Sequence, residues 1–311
     1  QASGIATRPR VVISGMGSSH FATHSIWQNL IRRGSAAWWI ETAELLDLID
    51  GIVVPNTLFW LTSQSGESAE TVALLERLPR DQVHVVGVTN NVESTLGRSA
   101  DTIINLVAGP EATVSTKSFV NTIATARLTA ACLDGTSAAV VTALRASVDT
   151  LSTYLETLEE QVDSVADFAA DRHLLVTGRG SAAASAQTAG LILKEAAKAP
   201  VEGLSAAALR HGVIELAGPE LAVAFFDHGT DAHRAQNMRL AEDLAAAGTQ
   251  IGWVSGDSLP EHRQLPAPRG GMIDPLIRDA AAFQTLSFAL ANRGGVTAGD
   301  FLFASKVTDI L

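Results

Sequence analysis

Cysteine is almost absent from this sequence. Cys132 is the single cysteine among 311 residues, so an intrachain disulfide is excluded. A chain without disulfides is typical of a reducing compartment. No apolar run is long enough to cross a bilayer, and no secretory leader precedes the first predicted strand. We therefore expect a cytoplasmic protein that does not bind membranes.

Positive charge is also scarce. The chain has 22 Lys and Arg residues against 33 Asp and Glu residues, a formal net charge of -11. A nucleic-acid surface as the main functional surface would need the opposite balance. We therefore expect no nucleic-acid partner, although a local basic pocket is compatible with this composition.

Strands alternate with helices along the whole chain, which is long enough for two domains. Apolar runs predict strands at 11–14, 38–40, 58–62, 83–88, 102–106, 174–177, 221–226 and 250–254. This alternation predicts an α/β fold with parallel sheets and helices on both faces. We predict a first domain over residues 1–148, a connecting helix over 149–168 and a second domain over 169–311.

A polar loop at Ser63–Ser68 stands where the buried strand 58–62 turns into a helix. The first N–H groups of a helix have no intrahelical partner, and the helix dipole places a partial positive charge there. Serine hydroxyls and the Gln64 amide add hydrogen-bond donors. The loop is therefore a candidate phosphate site. The alternative is an ordinary polar loop in which a serine or glutamate caps the helix.

A second glycine and serine loop, Gly15–His20, opens a helix after the first strand. Ser18 and Ser19 could bind an oxyanion there. A dinucleotide fingerprint requires a third glycine where His20 stands, so we reject a Rossmann cofactor site. We interpret His20 as a partly buried loop histidine and not as a catalyst.

Other polar residues stand at helix ends. Thr113–Lys117 opens a long helix, for which Ser115 or Thr116 can provide the N-cap. Gly178–Ser181 repeats the first glycine loop and suggests a duplication. Glu195 has apolar sequence neighbours that could raise the pKa of its carboxyl, although the pattern alone favours a surface pair with Lys194. His228 and His233 lie near Asp227, but without a second cluster we predict no metal site.

Taken together, these motifs resemble the two-domain form of the sugar isomerase (SIS) family, which includes the isomerase half of glucosamine-6-phosphate synthase and related phosphosugar deaminases. The resemblance covers nearly the whole chain. It implies two tandem SIS domains, each a flavodoxin-like, doubly wound parallel sheet. The motifs that carry it are Ser63–Ser68, Ser115–Lys117, Lys194–Glu195, Arg210–Gly212 and Lys306–Thr308.

The resemblance also implies roles for individual residues. It implies that phosphate is held by Ser19, Ser63, Gln64, Ser65 and Ser68, with further substrate contacts from Gly17, Ser18, Thr113, Ser115 and Lys117. Glu195 would move a proton between C1 and C2 of an open-chain sugar. His211, contributed by the neighbouring subunit of a homodimer, would assist ring opening, and Lys306 would form an imine with a ketose carbonyl. No metal or organic cofactor is implied.

The implied activity is isomerisation of a hexose 6-phosphate or deamination of an amino-sugar phosphate. Cleavage of a 6-phosphorylated fructosamine is the enzymatic alternative, and a phosphosugar-sensing module is the non-enzymatic one. A sensor would need the serine loops but not Glu195, His211 and Lys306. The chain departs from the family pattern at Ile192, at Val213 and over 299–302, around the sugar and not the phosphate.

Overall fold

The computed structural model describes residues 8–228, 230–257, 263–270, 273–303 and 305–306. These residues form two parallel five-stranded sheets flanked by helices, which confirms the predicted α/β class. They divide between two compact units. The first holds the described residues up to Val141 and those from Phe303 onward, and the second holds Thr142–Leu302. The predicted domain boundaries stay a prediction. Of the C-terminal tail, which the sequence placed with the second domain, the described residues Phe303, Ser305 and Lys306 group with the first unit.

The first unit contains strands β1–β5 and helices α1–α6. The strands are β1 Val11–Gly15, β2 Ala37–Glu41, β3 Thr57–Thr62, β4 Val83–Thr89 and β5 Thr102–Asn105. The helices are α1 Gly17–Ala22, α2 His24–Arg32, α3 Thr42–Ile52, α4 Ala69–Arg77, α5 Thr95–Ser99 and α6 Lys117–Asp134. The division between the units falls within the next helix, α7 Ser137–Leu155.

The strands of the first sheet lie in the order β2-β1-β3-β4-β5, and all of them are parallel. The chain leaves β1 toward one edge of the sheet and leaves β3 toward the other. A doubly wound sheet of this order binds its ligands at such a switch point, outside the carboxyl ends of the strands. Gly15 at the end of β1 pairs with Thr62 at the end of β3, so the loops that follow these two strands are neighbours.

Alternate residues of the first sheet face two separate hydrophobic clusters. Val11, Ile13 and Trp60 pack with residues of α2 and α6, whereas Val12 and Phe59 pack with residues of α3, α4 and α5. Every residue of β3 is buried. A strand that is covered on both faces has the continuous apolar sequence from which β3 was predicted.

The second unit repeats this order with different strands. Its sheet runs β7-β6-β8-β9-β10, so that β6 and β8 flank its switch point. The strands are β6 His173–Gly178, β7 Val201–Ser205, β8 Leu221–Asp227, β9 Gln250–Ser255 and β10 Arg263–Gln264. The helices are α8 Leu158–Val165, α9 Ser181–Ala197, α10 Ala206–Arg210, α11 Asp231–Ala246 and α12 Pro275–Gly294, with a 3-10 turn at Val213–Leu216.

One predicted helix is interrupted. Helical periodicity in the sequence runs over residues 139–165 and into the connecting helix predicted over 149–168, but α7 ends at Leu155 and α8 begins at Leu158. Thr157 has a non-helical backbone (φ -113°, ψ 23°), and its N–H bonds to the Tyr154 carbonyl in a tight turn. In the part of the chain that the structure describes, no helix has the length and hydropathy to cross a bilayer.

Candidate functional site

The Ser63–Ser68 loop lies between the end of β3 and the N-terminus of α4. Ser63 is buried, and Gln64, Ser65 and Ser68 are half-buried. The Ser63 hydroxyl accepts a hydrogen bond from the Gly66 N–H (3.1 Å) and lies 3.4 Å from the Ser68 hydroxyl. Ser68 occupies the N-cap position, but its hydroxyl donates to Thr71 Oγ1 (2.8 Å) and makes no cap bond. A serine-capped helix, the simpler interpretation of the sequence, is therefore not what forms here.

Backbone and carboxylate contacts fix the loop from behind. Gly66 has φ +69°, and its carbonyl accepts from the Leu96 N–H (3.1 Å). The Glu67 carboxylate accepts from the Thr95 N–H (2.7 Å) and the Thr95 hydroxyl (2.8 Å). The Glu67 carboxylate thus holds the loop to α5, since both of its oxygens accept hydrogen bonds from Thr95.

The Gly17–Ser19 loop stands beside the serine loop. Gly17 has φ +50° and begins α1, with Ser18 buried and Ser19 half-buried. A Cβ atom on Gly15 would lie 2.8 Å from the Thr62 carbonyl, so only glycine allows β1 and β3 to approach so closely here. The structure therefore brings both predicted phosphate loops to the switch point of the first sheet.

His20 differs from its predicted environment. It lies in helix α1, not in a loop, and it is buried, with its ring stacked on Trp39 at 3.9 Å between ring centroids. Burial, and secondarily the charge on His24, lower the pKa of His20 to about 4. His20 is therefore a neutral, stacked core residue and not the partly buried loop histidine that we predicted. Its lack of a catalytic role stays a prediction.

The start of helix α6 is held by a glutamate that the sequence did not single out. Thr116 stands at the N-cap but makes no side-chain cap bond. Instead the Glu111 carboxylate accepts from the backbone N–H groups of Thr116 (2.9 Å) and Ser118 (3.0 Å), and from both of their hydroxyls. Thr116 thus stands at the N-cap position that we predicted for Ser115 or Thr116. The Glu111 carboxylate from the preceding loop, and not the Thr116 hydroxyl, accepts from the N–H groups at the start of the helix.

Lys306 is bound to the same carboxylate. Its Nζ lies 3.0 Å from Glu111 Oε2 and donates to the Thr113 carbonyl (2.6 Å). The Glu111 side chain is only 2% exposed. Burial alone would raise its pKa, but hydrogen bonds from Ser118, Thr116 and Lys306 outweigh burial and lower the pKa to about 2. Glu111 is therefore ionised at neutral pH.

The remaining residues predicted near this segment lie around it. The Ser115 hydroxyl is 3.0 Å from that of Ser118. Lys117 is exposed, and its ammonium group donates to the Pro110 carbonyl. This contact gives Lys117, at the otherwise unfavourable positive end of the α6 dipole, the specific partner that its position suggested.

Asn90 connects the serine loop to the Glu111 segment. Its backbone N–H donates to the Gln64 carbonyl (3.0 Å), and its side-chain amide donates to the Gly109 carbonyl (2.9 Å). Its Oδ1 accepts from the Ala108 N–H (2.8 Å). A continuous set of hydrogen bonds thus runs from the phosphate loop through Asn90 to the segment that holds Lys306.

The second unit contains the other two predicted catalytic residues. Glu195 is half-buried in the last turn of α9, and its backbone carbonyl accepts from the Lys198 ammonium. His211 is exposed and ends α10, with its N–H bonded to the Ala207 and Ala208 carbonyls. Of the three departures from the family pattern, Ile192 is buried in α9, Val213 begins the 3-10 turn, and residues 299–302 follow α12.

The switch point of the second sheet is occupied by internal ion pairs. After β8, His228 Nε2 lies 2.8 Å from the buried Asp279 carboxylate. Asp227 accepts from Arg234 (2.7 Å). Among the described residues, no group of three or more His, Cys, Asp or Glu side chains is placed to hold a metal ion. The prediction that no cofactor is required stays a prediction.

Glu111 and Asn90 are the site residues that sequence reasoning missed. Both are polar residues in loops that follow strands of the first sheet, at the edge where the serine loops lie. That position was the available signal. Asn90 contacts residues 64, 108 and 109, and Glu111 joins the nearby Thr116 and Ser118 to the distant Lys306, so no single local motif marks either residue.

With the geometry in place, comparison with known proteins identifies the first unit. The family model described as SIS domain matches residues 4–131. This region is a SIS domain. It contains both serine loops, Glu111 and the start of α6, all of which are therefore parts of one SIS domain.

Relatives match well beyond the SIS domain. The glutamine–fructose-6-phosphate aminotransferase (isomerizing) of Halobacterium salinarum is 28% identical over 270 residues, which cover 82% of this chain and 44% of that protein. The chain thus spans less than half the length of this curated relative.

Two solved structures match nearly the whole chain. They are the C-terminal domain of glucosamine-fructose-6-phosphate aminotransferase from Francisella tularensis and the glucosamine-6-phosphate deaminase of Thermotoga maritima. The first has TM-score 0.80 and 20% identity and covers 96% of this chain and 88% of that one. The second has TM-score 0.80 and 18% identity and covers 96% and 90%. At these identities the likeness concerns the fold.

Proposed function

We propose that this chain is an enzyme that acts on a hexose 6-phosphate or an amino-sugar phosphate, by aldose–ketose isomerisation or by deamination. In this proposal its second unit is a second SIS domain, and a homodimer in the cytoplasm is the working form. The observation that carries the proposal is the pair of serine-containing loops at the switch point of the first sheet. The Halobacterium aminotransferase and the Thermotoga deaminase have names consistent with this class.

The phosphate group would bind to the serine loop and the N-terminus of α4. Donors come from the hydroxyls of Ser19 and Ser65, the Gln64 amide and the first N–H groups of the helix, with Ser63 and Ser68 completing the loop. The helix dipole adds to the attraction for an anion. Binding the phosphate far from the reacting carbons fixes the sugar so that its carbonyl end meets the catalytic groups in one orientation.

The second sheet does not offer an equivalent anion site. The loop after β8 carries Asp227, and Asp279 lies against His228 there. These carboxylates bring negative charge to the place where the first sheet has serine hydroxyls, and Arg234 is already engaged by Asp227, so the described residues favour a phosphate dianion less there. We therefore assign phosphate binding to the first sheet alone.

Proton transfer is assigned to Glu195. Interconversion of an aldose and a ketose requires removal of a proton from a carbon next to a carbonyl and its return one carbon away, which a single carboxylate can perform through an enediol or enamine. His211 would assist ring opening, since an imidazole titrates near neutral pH. Its exposed position is compatible with donation to the site of a neighbouring subunit.

The deciding experiment is incubation of the purified protein with glucosamine 6-phosphate, followed by measurement of ammonia and ketose phosphate. Release of both establishes a deaminase. Interconversion of glucose 6-phosphate and fructose 6-phosphate without ammonia release establishes an isomerase, and turnover of a 6-phosphorylated fructosamine alone establishes a deglycase. A rise in melting temperature with these sugars but no turnover would contradict an enzymatic function and support the phosphosugar-sensing alternative.

Glu195→Gln tests the proton-transfer assignment. We expect a loss of turnover of about 100-fold or more, as is typical when a general base is removed. Phosphosugar affinity should stay within about threefold of wild type, because the phosphate loop lies on another element and the substitution is isosteric. Unchanged turnover would contradict the role of Glu195.

A further inference from the structure

We propose that Glu111 is a positioning residue for Lys306, with one carboxylate oxygen holding helix α6 and the other holding the Lys306 ammonium group. The inference rests on the proposed function insofar as Lys306 acts on the sugar. The contacts that carry it all lie within the first unit, and they can be tested without a substrate.

The two carboxylate oxygens of Glu111 share Ser118 and otherwise have separate partners. Oε1 accepts from the Thr116 N–H, the Thr116 hydroxyl and the Ser118 N–H. Oε2 accepts from the Ser118 hydroxyl (2.7 Å) and from Lys306 Nζ (3.0 Å). One buried side chain therefore fixes the start of a long helix and a lysine that follows 195 positions later in the chain.

The position of Lys306 relative to the phosphate loop follows from these contacts. Asn90 bonds to the Gln64 carbonyl on one side and to Ala108 and Gly109 on the other, three and two residues before Glu111. Asn90 thus ties the serine loop to the short segment of chain that leads to Glu111. Without it, the described contacts of Lys306 would reduce to the Thr113 carbonyl.

The charge states of the pair restrict what Lys306 does. A carboxylate with a pKa of about 2 is too weak a base to remove a proton from an ammonium group. While Glu111 holds it, Lys306 is a charged hydrogen-bond donor and not a nucleophile. Imine formation with a sugar carbonyl would require Lys306 first to leave Glu111 and to lose its proton.

Glu111→Gln separates the two roles of the side chain. A glutamine oxygen at the Oε1 position still accepts from the Thr116 and Ser118 N–H groups, so the start of α6 keeps its partners. The amide NH₂ at the Oε2 position then faces the ammonium group, donor against donor. Glu67→Gln is the matched control, because the two Glu67 oxygens likewise divide between a backbone N–H and a hydroxyl, both of Thr95, with no contact to Lys306.

The experiment measures the acetylation rate of Lys306 in the full chain by an amine-reactive ester, followed by peptide mass spectrometry, with no sugar present. We expect Glu111→Gln to raise the acetylation rate of Lys306 at least about tenfold, because the substitution removes a charge-assisted hydrogen bond to the ammonium group. Lys194, which is exposed, should keep its rate in all variants. Glu67→Gln should leave Lys306 at the wild-type rate. A wild-type rate in Glu111→Gln would overturn the proposal.

Turnover gives a second, separate readout. If wild type turns over a phosphosugar, Glu111→Gln should lower kcat with KM within about threefold, and it should cause no further loss in a Lys306→Ala background. An equal further loss in that background would assign Glu111 a role independent of Lys306 and overturn the proposal. If wild type turns over no phosphosugar, the proposed function fails, and the acetylation rates alone decide the inference. If Glu111→Gln does not fold, Glu111→Asp is the second variant. Aspartate keeps the negative charge on a side chain that is shorter by one methylene group, so it should give an intermediate acetylation rate of Lys306.

Discussion

Gly66 gives the serine loop its shape. Its φ of +69° lies in the left-handed region, which costs other residues about 1–2 kcal/mol. A Cβ atom there would also lie 1.9 Å from the Ser94 hydroxyl, a distance that requires the loop or α5 to move. A side chain at position 66 would therefore be opposed both by backbone strain and by a steric clash with Ser94.

Gly66→Ala should lower both stability and phosphosugar affinity. We expect a loss of about 2–4 kcal/mol of unfolding free energy, larger than a left-handed alanine alone would cost. Gly34→Ala is the control, because Gly34 has φ +79° but nothing within 4 Å of its Cβ position. It should cost only the strain, about 1–2 kcal/mol, and keep affinity. Equal effects in the two variants, measured by urea unfolding and thermal shift, would contradict this account.

Protonation of His20 should lower the free energy of unfolding at mildly acidic pH. Its pKa in the folded chain is about 4, below the ordinary value of 6.5, so the unfolded chain takes up the proton first. The contribution of this residue is complete above pH 6.5 and is lost as the pH falls from 6.5 toward 4. Between pH 7 and pH 5 the loss is about 2 kcal/mol. His24 adds a loss of the same sign, since burial first and Arg32 second lower its pKa to about 4.

His20→Phe should therefore flatten the acid dependence by about half while keeping an aromatic ring against Trp39. Urea unfolding of both proteins at pH 7 and pH 5 measures the two differences. If wild type and variant lose the same free energy over this interval, the protonation of His20 has no part in acid sensitivity.

At the scale of elements, Asn90 connects the serine loop to the loop that precedes Glu111. The side chain of Asn90 holds residues 108 and 109, and its backbone holds the serine loop. The side-chain oxygen of its neighbour, Asn91, accepts from the Glu93 N–H within the same exposed turn (3.1 Å). The two asparagines thus form a natural pair of test and control.

Asn90→Ala should release the Glu111 segment from the serine loop. We expect faster amide exchange over residues 106–118 and phosphosugar affinity weakened about fivefold, in line with the loss of about 1 kcal/mol from hydrogen bonds. Asn91→Ala should change neither quantity. Exchange that stays at the wild-type rate in Asn90→Ala would show that the segment is held by other contacts.

The elements themselves were largely predictable from sequence, for a specific reason. β3 and β8 are buried along their whole length, so their continuous apolar sequences predict strands without any knowledge of the elements that pack against them. The break at Thr157 and the two-residue strand β10 were missed, since neither leaves a periodic pattern. The position of His20 in a helix was missed because two glycines precede it in a helix of six residues.

At the scale of the whole molecule, two sheets of the same strand order differ in the chemistry at their switch points. The first has serine loops, and the second has Asp227, His228 and Asp279 in ion pairs. We expect calorimetry to give one phosphosugar per chain. Ser65→Ala should weaken this binding about tenfold, whereas Ser181→Ala, in the corresponding glycine loop of the second sheet, should not. Two sites per chain, or equal effects of both variants, would contradict a single site on the first sheet.

The candidate site was predicted in part. Ser63 and its neighbours were found because a loop sequence alone determines a strand-to-helix turn. Glu111 was not, because its importance depends on Lys306, and only the folded chain shows that they meet. The joint action of Glu195 and His211 with the serine loops stays a prediction, carried by family resemblance.

The contact between Glu111 and Lys306 also sets an order of events during synthesis. A ribosome delivers the chain from its N-terminus, so β1–β5 and α6 are available long before Lys306 emerges. The first sheet can assemble early with Glu111 bonded to Thr116 and Ser118, but the contact with Lys306 forms only after the whole second sheet has been translated. A nascent chain that already binds phosphate is thus not yet competent for the chemistry proposed for Lys306.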